Sequence, residues 1–166
     1  MAENKKNEEG QAKKVDYDFA AHETPIFNEW VEEGYFHRSK GQGEHADDTF
    51  TIVVPPPNIT GVLHMGHALN ETIQDTCIRR ARMRGYQTRW IIGTDHAGIA
   101  TQTKVDKKLA DQGISRLEIG REKFIEACYD WRREYGTTIV NQIKGMGCSG
   151  DFEDEHFTLD PDYVLA

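Results

Sequence analysis

Two histidines three positions apart, His64 and His67, stand with Gly66 between them directly after Pro55-Pro56-Pro57-Asn58-Ile59-Thr60-Gly61. The apolar, β-branched run Phe50 to Val54 reads as a buried strand. Three prolines cannot continue a sheet ladder, so the strand is expected to end at Val54 and the chain to leave the sheet along a stiff, extended path. A helix then opens near Leu63 or His64, with His64, Gly66 and His67 in its first turn. Unpaired backbone N–H groups and a partial positive charge make a helix N-terminus suited to phosphate. The two imidazoles add donors, and Gly66 leaves room for a flat ligand against the backbone. A nucleotide phosphate site is therefore the chemistry these residues point to. A metal pair is the weaker reading: no His-Glu-x-x-His or Cys-x-x-Cys accompanies the histidines, and no third ligand lies nearby in sequence. Exposed capping histidines are the bland alternative.

A second constellation follows in Gly93-Thr94-Asp95-His96-Ala97-Gly98, running on to Gln102. Gln87 to Ile92 reads as a strand buried on both faces, and the helical stretch between the strands completes a βαβ unit. Ligands bind such units at the carboxyl ends of the strands, so Pro55 to Asn58 and Thr94 to His96 should converge on one crevice. Asp95 offers an acceptor-only carboxylate that could pair with an ammonium group, or cap the helix that follows. Pro55 and Pro56 offer carbonyls and a rigid wall, and Asn58 a side-chain amide. Asn70 falls on the side of Gly66 and His67, within reach of a nucleotide. His96 suits core packing or an adenosine contact, and Gln102 is a weaker candidate.

The elements around these motifs read as support. Residues 1–14 are polar and charged and read as a disordered leader; residues 15–48 hold an N-terminal helix and a loop; residues 49–166 form the α/β part. Phe19, Ile26, Phe27, Trp30 and Val31 mark the helix, with Thr24 as a candidate cap before Pro25, Gly34 as its end, and Tyr35 and Phe36 as packing anchors. Met65, Leu69, Ile73 and Cys77 recur at helical intervals after the signature, and Arg79, Arg80, Arg82 and Arg84 read as a solvated helix end closed by Gly85. Ala97 to Gln112 is expected to be helical, Ile114 to Gly120 a connector, and Arg121 to Met146 a long amphipathic helix burying Phe124, Cys128, Trp131, Tyr135, Ile139 and Ile143.

With 166 residues, 37% of them hydrophobic, the chain can hold one domain with a modest core. A net charge of −8 argues against a self-sufficient nucleic-acid surface. Cys77, Cys128 and Cys148 fit free thiols in a reducing, cytoplasmic compartment. No run has the length of a transmembrane helix.

Pro55 to His67 resembles the first signature of the class I aminoacyl-tRNA synthetases, His-Ile-Gly-His, with Met65 in place of isoleucine. Pro-Pro-Pro-Asn-Ile-Thr-Gly ahead of it, and Gly93 to Gln102 beyond it, are similar to the valine-specific branch of that class. The likeness spans roughly Asp16 to Asp160; it frays at Asp151-Phe152-Glu153-Asp154-Glu155, where the branch tends to carry Asp-Trp-Ser-Arg-Glu. The resemblance implies the N-terminal half of a Rossmann-like nucleotide-binding fold, parallel strands with flanking helices. It implies valine activation by ATP with Mg2+ carried on the phosphates, no protein-ligated metal, and transfer to tRNA(Val). His64 and His67 would be catalytic; His64, Gly66, His67, Asn70 and His96 would bind ATP; Pro55, Pro56, Asn58 and Asp95 would bind the amino acid.

No match to the family's Lys-Met-Ser-Lys-Ser loop, editing insertion or anticodon-binding domain occurs in these residues, which therefore read as an N-terminal fragment. Two functions follow: an enzyme piece that activates valine, or a non-catalytic ATP-binding half-domain that needs a complementing chain. A cytidylyltransferase sharing His-x-Gly-His leaves Pro55 to Thr60 and Gly93 to Gln102 unexplained. Half an open sheet should leave an exposed edge and a tendency to self-associate.

Overall fold

A computed structural model describes residues 17–37 and 40–165; the leader expected over 1–14 lies outside the described residues. The chain divides into two compact units, Met1–Glu33 and Gly34–Ala166. In the first, helix α1 spans Phe19–Glu32, with Pro25 inside it. Its cap is Asp18, whose Oδ1 accepts from the Ala21 N–H at 3.1 Å, rather than Thr24. The missing proline N–H removes one bond of the ladder without ending the helix.

The second unit is built on a three-stranded parallel sheet in the order β1-β2-β3, formed by Thr49–Val53, Gln87–Thr94 and Asp151–Phe157. Helix α2, Met65–Met83, connects β1 to β2; α3, Gly98–Asp111, and α4, Arg116–Gly145, connect β2 to β3; a short α5, Pro161–Val164, follows. This is the expected α/β class. The expected connector between α3 and α4 shrinks, because Ser115 caps a helical turn whose only non-helical residue before the main run is Gly120. From there the predicted stripe holds: Trp131, Ile139 and Ile143 are buried, and Phe124, Cys128 and Tyr135 pack partly buried against the same core.

Two expectations need correction, and α2 adds a finding that periodicity alone does not give. β1 is not a buried strand: Phe50 and Ile52 are half-buried on one side while Thr49, Thr51 and Val53 are exposed, since among the described residues β1 pairs only with β2. Nor do the prolines end the pairing outright. The Val54 N–H donates to the Ile91 carbonyl at 3.0 Å, and the ladder resumes when the Pro57 carbonyl accepts from the Asp95 N–H at 2.8 Å. Proline lacks a donor but keeps its acceptor. On α2, the apolar series Met65, Leu69 and Ile73 marks the helix but not its buried face; these side chains are exposed, while Glu71, Ile78 and Ala81 face the core.

That inward face is unusually polar, and several of its polar groups find partners across the tertiary structure. Trp90, fully buried, donates its indole N–H to Gln74 Oε1 at 3.1 Å. Asp75 accepts from the Ser149 N–H at 2.9 Å and from its hydroxyl. Arg79 donates to Asp75 at 2.7 Å and to the Gly147 carbonyl at 2.7 Å. The arginines of α2 are thus more than a solvated helix end, since Arg79 and Arg82 clamp the turn from α4 into β3 and cover the buried Phe36 ring. Tyr35, expected to anchor beside it, is exposed.

β3 has no counterpart in the sequence reading, where four acids in seven residues disguise it. Its carboxylates are matched from outside: Asp151 by His37 Nδ1 at 2.9 Å, and Asp154 by Arg89 of β2. Close approach of β3 to β2 requires Gly93, because a Cβ there would lie 2.6 Å from the His156 carbonyl oxygen.

Candidate active site

His64 sits in extended backbone as the N-cap of α2, and the helix starts one residue later. Its Nδ1 accepts from the Gly66 N–H at 3.0 Å, and its own N–H donates to His67 Nδ1 at 3.2 Å. The two side chains therefore close the helix end reciprocally, as a capping box does. A ring nitrogen that accepts cannot carry the proton, so each neutral imidazole is protonated at Nε2. Neither Nε2 has a partner among the described residues, and the rings lie 4.0 Å apart. Burial, and secondarily the neighbouring His64, hold the His67 pKa below its ordinary value. With both rings neutral the helix end presents two oriented N–H donors.

Gly66 has a more specific use than space for a ligand. A Cβ there would stand 2.8 Å from His64 Cε1, so glycine is what lets the His64 ring fold over the helix start. One helix amide is satisfied by that ring, which leaves the exposed imidazole edges as the main donors.

The two motifs meet where the sequence places them. Asn58 and Asp95 form an isolated parallel bridge, with the Ile59 N–H donating to the Asp95 carbonyl at 3.0 Å. Asn58, Pro55 and Pro56 are exposed along this edge, and Asn70 is exposed one turn into α2. Asp95 does not cap α3 itself: the cap is Ala97, in the left-handed region at φ 44°, ψ 42°. That conformation costs a non-glycine residue about 1 kcal/mol and brings the Ala97 N–H to 3.2 Å from Asp95 Oδ2.

Several residues that position the site were missed. The Trp131 indole donates to the Ile59 carbonyl at 2.6 Å, and Gln142 Oε1 accepts from the Leu63 N–H at 2.9 Å. Both come from α4 and pin the segment that delivers His64. Thr158, just past β3, bonds Asp95 and His96 through its hydroxyl. No local pattern announces any of these; the partners are between 62 and 79 residues apart.

A cavity of about 700 Å³ opens beside this edge, lined by His96 and Gln102 together with Arg116, Phe124, Phe157 and Leu159, among others. His64, His67, Asn70, Pro55, Pro56, Asn58 and Asp95 are not part of its lining. The chemistry is better placed on the open face at the carboxyl ends of β1 and β2, where ligands of parallel sheets bind and where the donors and the carboxylate stand. Among the described residues no group of three histidine, cysteine or acidic side chains could hold a metal, and no helix is long and apolar enough to cross a membrane.

One buried group near the site has a measurable signature. Glu71, one turn after His67, is 1% exposed, and its Oε2 has no hydrogen-bond partner. Burial pushes its carboxyl up from 4.5 to about 7. The folded state therefore holds this proton to higher pH than the unfolded chain does, and stability falls as pH rises from about 4.5 through about 7. Glu71→Gln should remove that slope, worth at most about 3 kcal/mol. Urea unfolding of both chains at about pH 5 and about pH 8 checks it; equal slopes for the two would exclude a buried, protonated Glu71.

The family model described as "tRNA synthetases class I (I, L, M and V)" matches residues 25–166. The chain is 52% identical over 134 residues to the valine–tRNA ligase of Staphylococcus carnosus (strain TM300), covering 81% of this chain and 15% of that protein. It is 50% identical over 138 residues to the valine–tRNA ligase of Pelagibacter ubique (strain HTCC1062), covering 83% and 15%. The chain thus spans about 15% of the length of these curated relatives. Its fold is similar to that of the agnB2 LeuRS of Agrobacterium radiobacter K84, in a ternary complex with tRNA and LeuAMS, with a TM-score of 0.68 at 20% identity over 91% of this chain and 17% of that one. A histidine-capped helix after β1, a parallel α/β sheet and a family match running from Pro25 to the last residue lead to one assignment: this chain belongs to the class I tRNA synthetases.

Proposed function

We propose that the chain carries the ATP and amino-acid subsites of a valine–tRNA ligase. The observation that carries this reading is the pair of free imidazole Nε2 donors at the α2 N-terminus, on the same strand-end face as a carboxylate held by hydrogen bonds. In the reaction, the valine carboxylate attacks the α-phosphorus of ATP, pyrophosphate leaves, and the valyl group passes to tRNA(Val). His64 and His67 stabilise the charge that grows on the phosphates, by hydrogen bonding and without a covalent intermediate. Gly66, Asn70 and His96 belong to the nucleotide subsite. Asp95 pairs with the valine ammonium, and Pro55, Pro56 and Asn58 form the wall of that subsite. Mg2+ arrives on the ATP phosphates as part of the substrate. The three free cysteines suit a reducing compartment such as the cytoplasm.

Valine-dependent exchange of labelled pyrophosphate into ATP tests the reading. Exchange that needs valine supports it, and exchange that proceeds equally with an unrelated amino acid contradicts the assignment to valine. The second reading is a half-domain that binds ATP without turnover. Binding of both substrates without exchange would select it.

The β1 edge, which no strand covers on its outer side among the described residues, and the exposed Met65, Leu69 and Ile73 series also support self-association of the 166-residue chain. Sedimentation velocity should show a concentration-dependent shift to larger species that Ile73→Lys reverses. A single monomeric boundary at all concentrations would refute it.

A further inference from the structure

We propose that Thr158 is a positioning residue, whose hydroxyl, 2.8 Å from Asp95 Oδ1 and 2.6 Å from His96 Nδ1, fixes both the carboxylate and the imidazole tautomer of the ligand-facing strand end. The inference deepens the reading given above and rests on Asp95 and His96 facing ligand.

A threonine hydroxyl has one proton to give and two lone pairs with which to accept. An ionised Asp95 can only accept, so the Thr158 proton goes to Oδ1. The lone pairs then accept from the His96 backbone N–H, at 2.9 Å, and from the His96 ring. That second bond requires the ring proton on Nδ1, a position the carboxylate also favours, since Asp95 Oδ1 lies 3.3 Å from the same nitrogen. His96 Nε2 is left as an acceptor, without a partner among the described residues, on a ring that lines the neighbouring cavity. This is the opposite tautomer to that of His64 and His67. The face therefore offers N–H donors at its phosphate end and acceptors, Asp95 and His96 Nε2, at the other, where a ligand ammonium or hydroxyl would be received.

Thr158 is itself held in place. Its N–H donates to the Thr94 carbonyl at 3.2 Å, and Asp160 Oδ2 accepts from the Phe157 N–H at 2.8 Å while Arg132 holds Oδ1 at 3.2 Å. The hydroxyl thus stands in a turn tied by hydrogen bonds to the ends of β2 and β3, and a group held in this way can set a tautomer that a mobile one would not.

The test is the imidazole nitrogen spectrum of the 15N-histidine-labelled chain, which separates Nδ1–H from Nε2–H rings, together with calorimetric titration of valine and of a non-hydrolysable valyl-adenylate analogue. The wild-type chain should show His96 as Nδ1–H, Thr158→Ser should preserve it, and Thr158→Val should shift the ring towards Nε2–H. In parallel, Thr158→Val should weaken analogue binding about 10-fold and Thr158→Ser less than about 3-fold. A wild-type His96 protonated at Nε2, or a His96 signal unmoved in Thr158→Val, overturns the proposal; since the first reading needs no variant, a poorly folded substitution does not remove the test. A wild-type chain that binds no analogue, yet shows the expected tautomers, would overturn the valine-subsite reading while upholding the Thr158 geometry.

Discussion

Replacing His64 and His67 together by alanine is expected to lower valine-dependent pyrophosphate exchange by at least about 100-fold, the usual loss when an oriented donor to a developing oxyanion is removed. Two roles are deleted at once, because the same rings cap α2. Loss of the cap should cost about 1 kcal/mol of stability. The roles separate in His64→Asn: asparagine is a favoured N-cap, so stability should stay near that of the parent, but it carries no donor at the reach of Nε2. Exchange lost while the melting temperature is kept would assign His64 to the phosphates. Exchange retained in the double alanine variant would show the histidines to be caps alone.

The second large effect belongs to Trp131. Its ring is 7% exposed, stacks on Tyr135 at 4.1 Å between centroids, and donates its indole N–H to the Ile59 carbonyl. Trp131→Ala should destabilise the chain by about 3–5 kcal/mol, a large share of the stability of any domain this size. Trp131→Phe keeps most of the packing and loses the hydrogen bond, leaving a buried carbonyl unmatched at a cost of about 1–3 kcal/mol. Urea unfolding measures both. Because Ile59 opens the segment that ends at His64, Trp131→Phe should also weaken ATP binding by more than its stability loss would bring. A destabilised chain with unchanged affinity for ATP would mean that the Trp131 bond supports the core without positioning the site.

Much of the site was legible before any coordinates because its chemistry is concentrated in short segments. Proline ahead of a histidine-flanked glycine and an aspartate at a strand end are local patterns, and the βαβ rule brings them together; the Asn58–Asp95 bridge is where they meet. Periodicity located α2 but does not give its orientation. Met65, Leu69 and Ile73 look inward by pattern and lie outward, because the inward face is polar, with Glu71, Gln74 and Asp75 tied to Trp90, Ser149 or simply to burial. A hydrophobic pattern cannot anticipate a face whose polar groups find partners far along the chain. β3 escaped for a similar reason: two of its acids, Asp151 and Asp154, bond to His37 and Arg89, which lie far along the chain. Thr158 and Gln142 act through single hydrogen bonds across long sequence separations, and one hydroxyl or one amide leaves no periodicity to read.

The proposed phosphate role gives histidine a use at a position where a serine or aspartate would also cap the helix. On the proposed reading, a carboxylate cap satisfies the helix amides but has no proton to offer a phosphate, and a serine hydroxyl can give its proton only within its short reach. An imidazole accepts from the backbone on one side and donates on the other, so the capping bond itself selects the useful tautomer. At His96 the proposed bond with Thr158 would select the opposite tautomer.

The most direct measurement of the central claim is calorimetric titration of a non-hydrolysable valyl-adenylate analogue into the 166-residue chain, with ATP and valine as separate competitors. The account predicts saturable binding that either competitor reduces, and that weakens by about 30-fold or more in Asp95→Asn, as expected when a paired charge loses its partner. Absence of binding by a chain shown to melt cooperatively, or binding that Asp95→Asn and the double histidine variant leave unchanged, would contradict it.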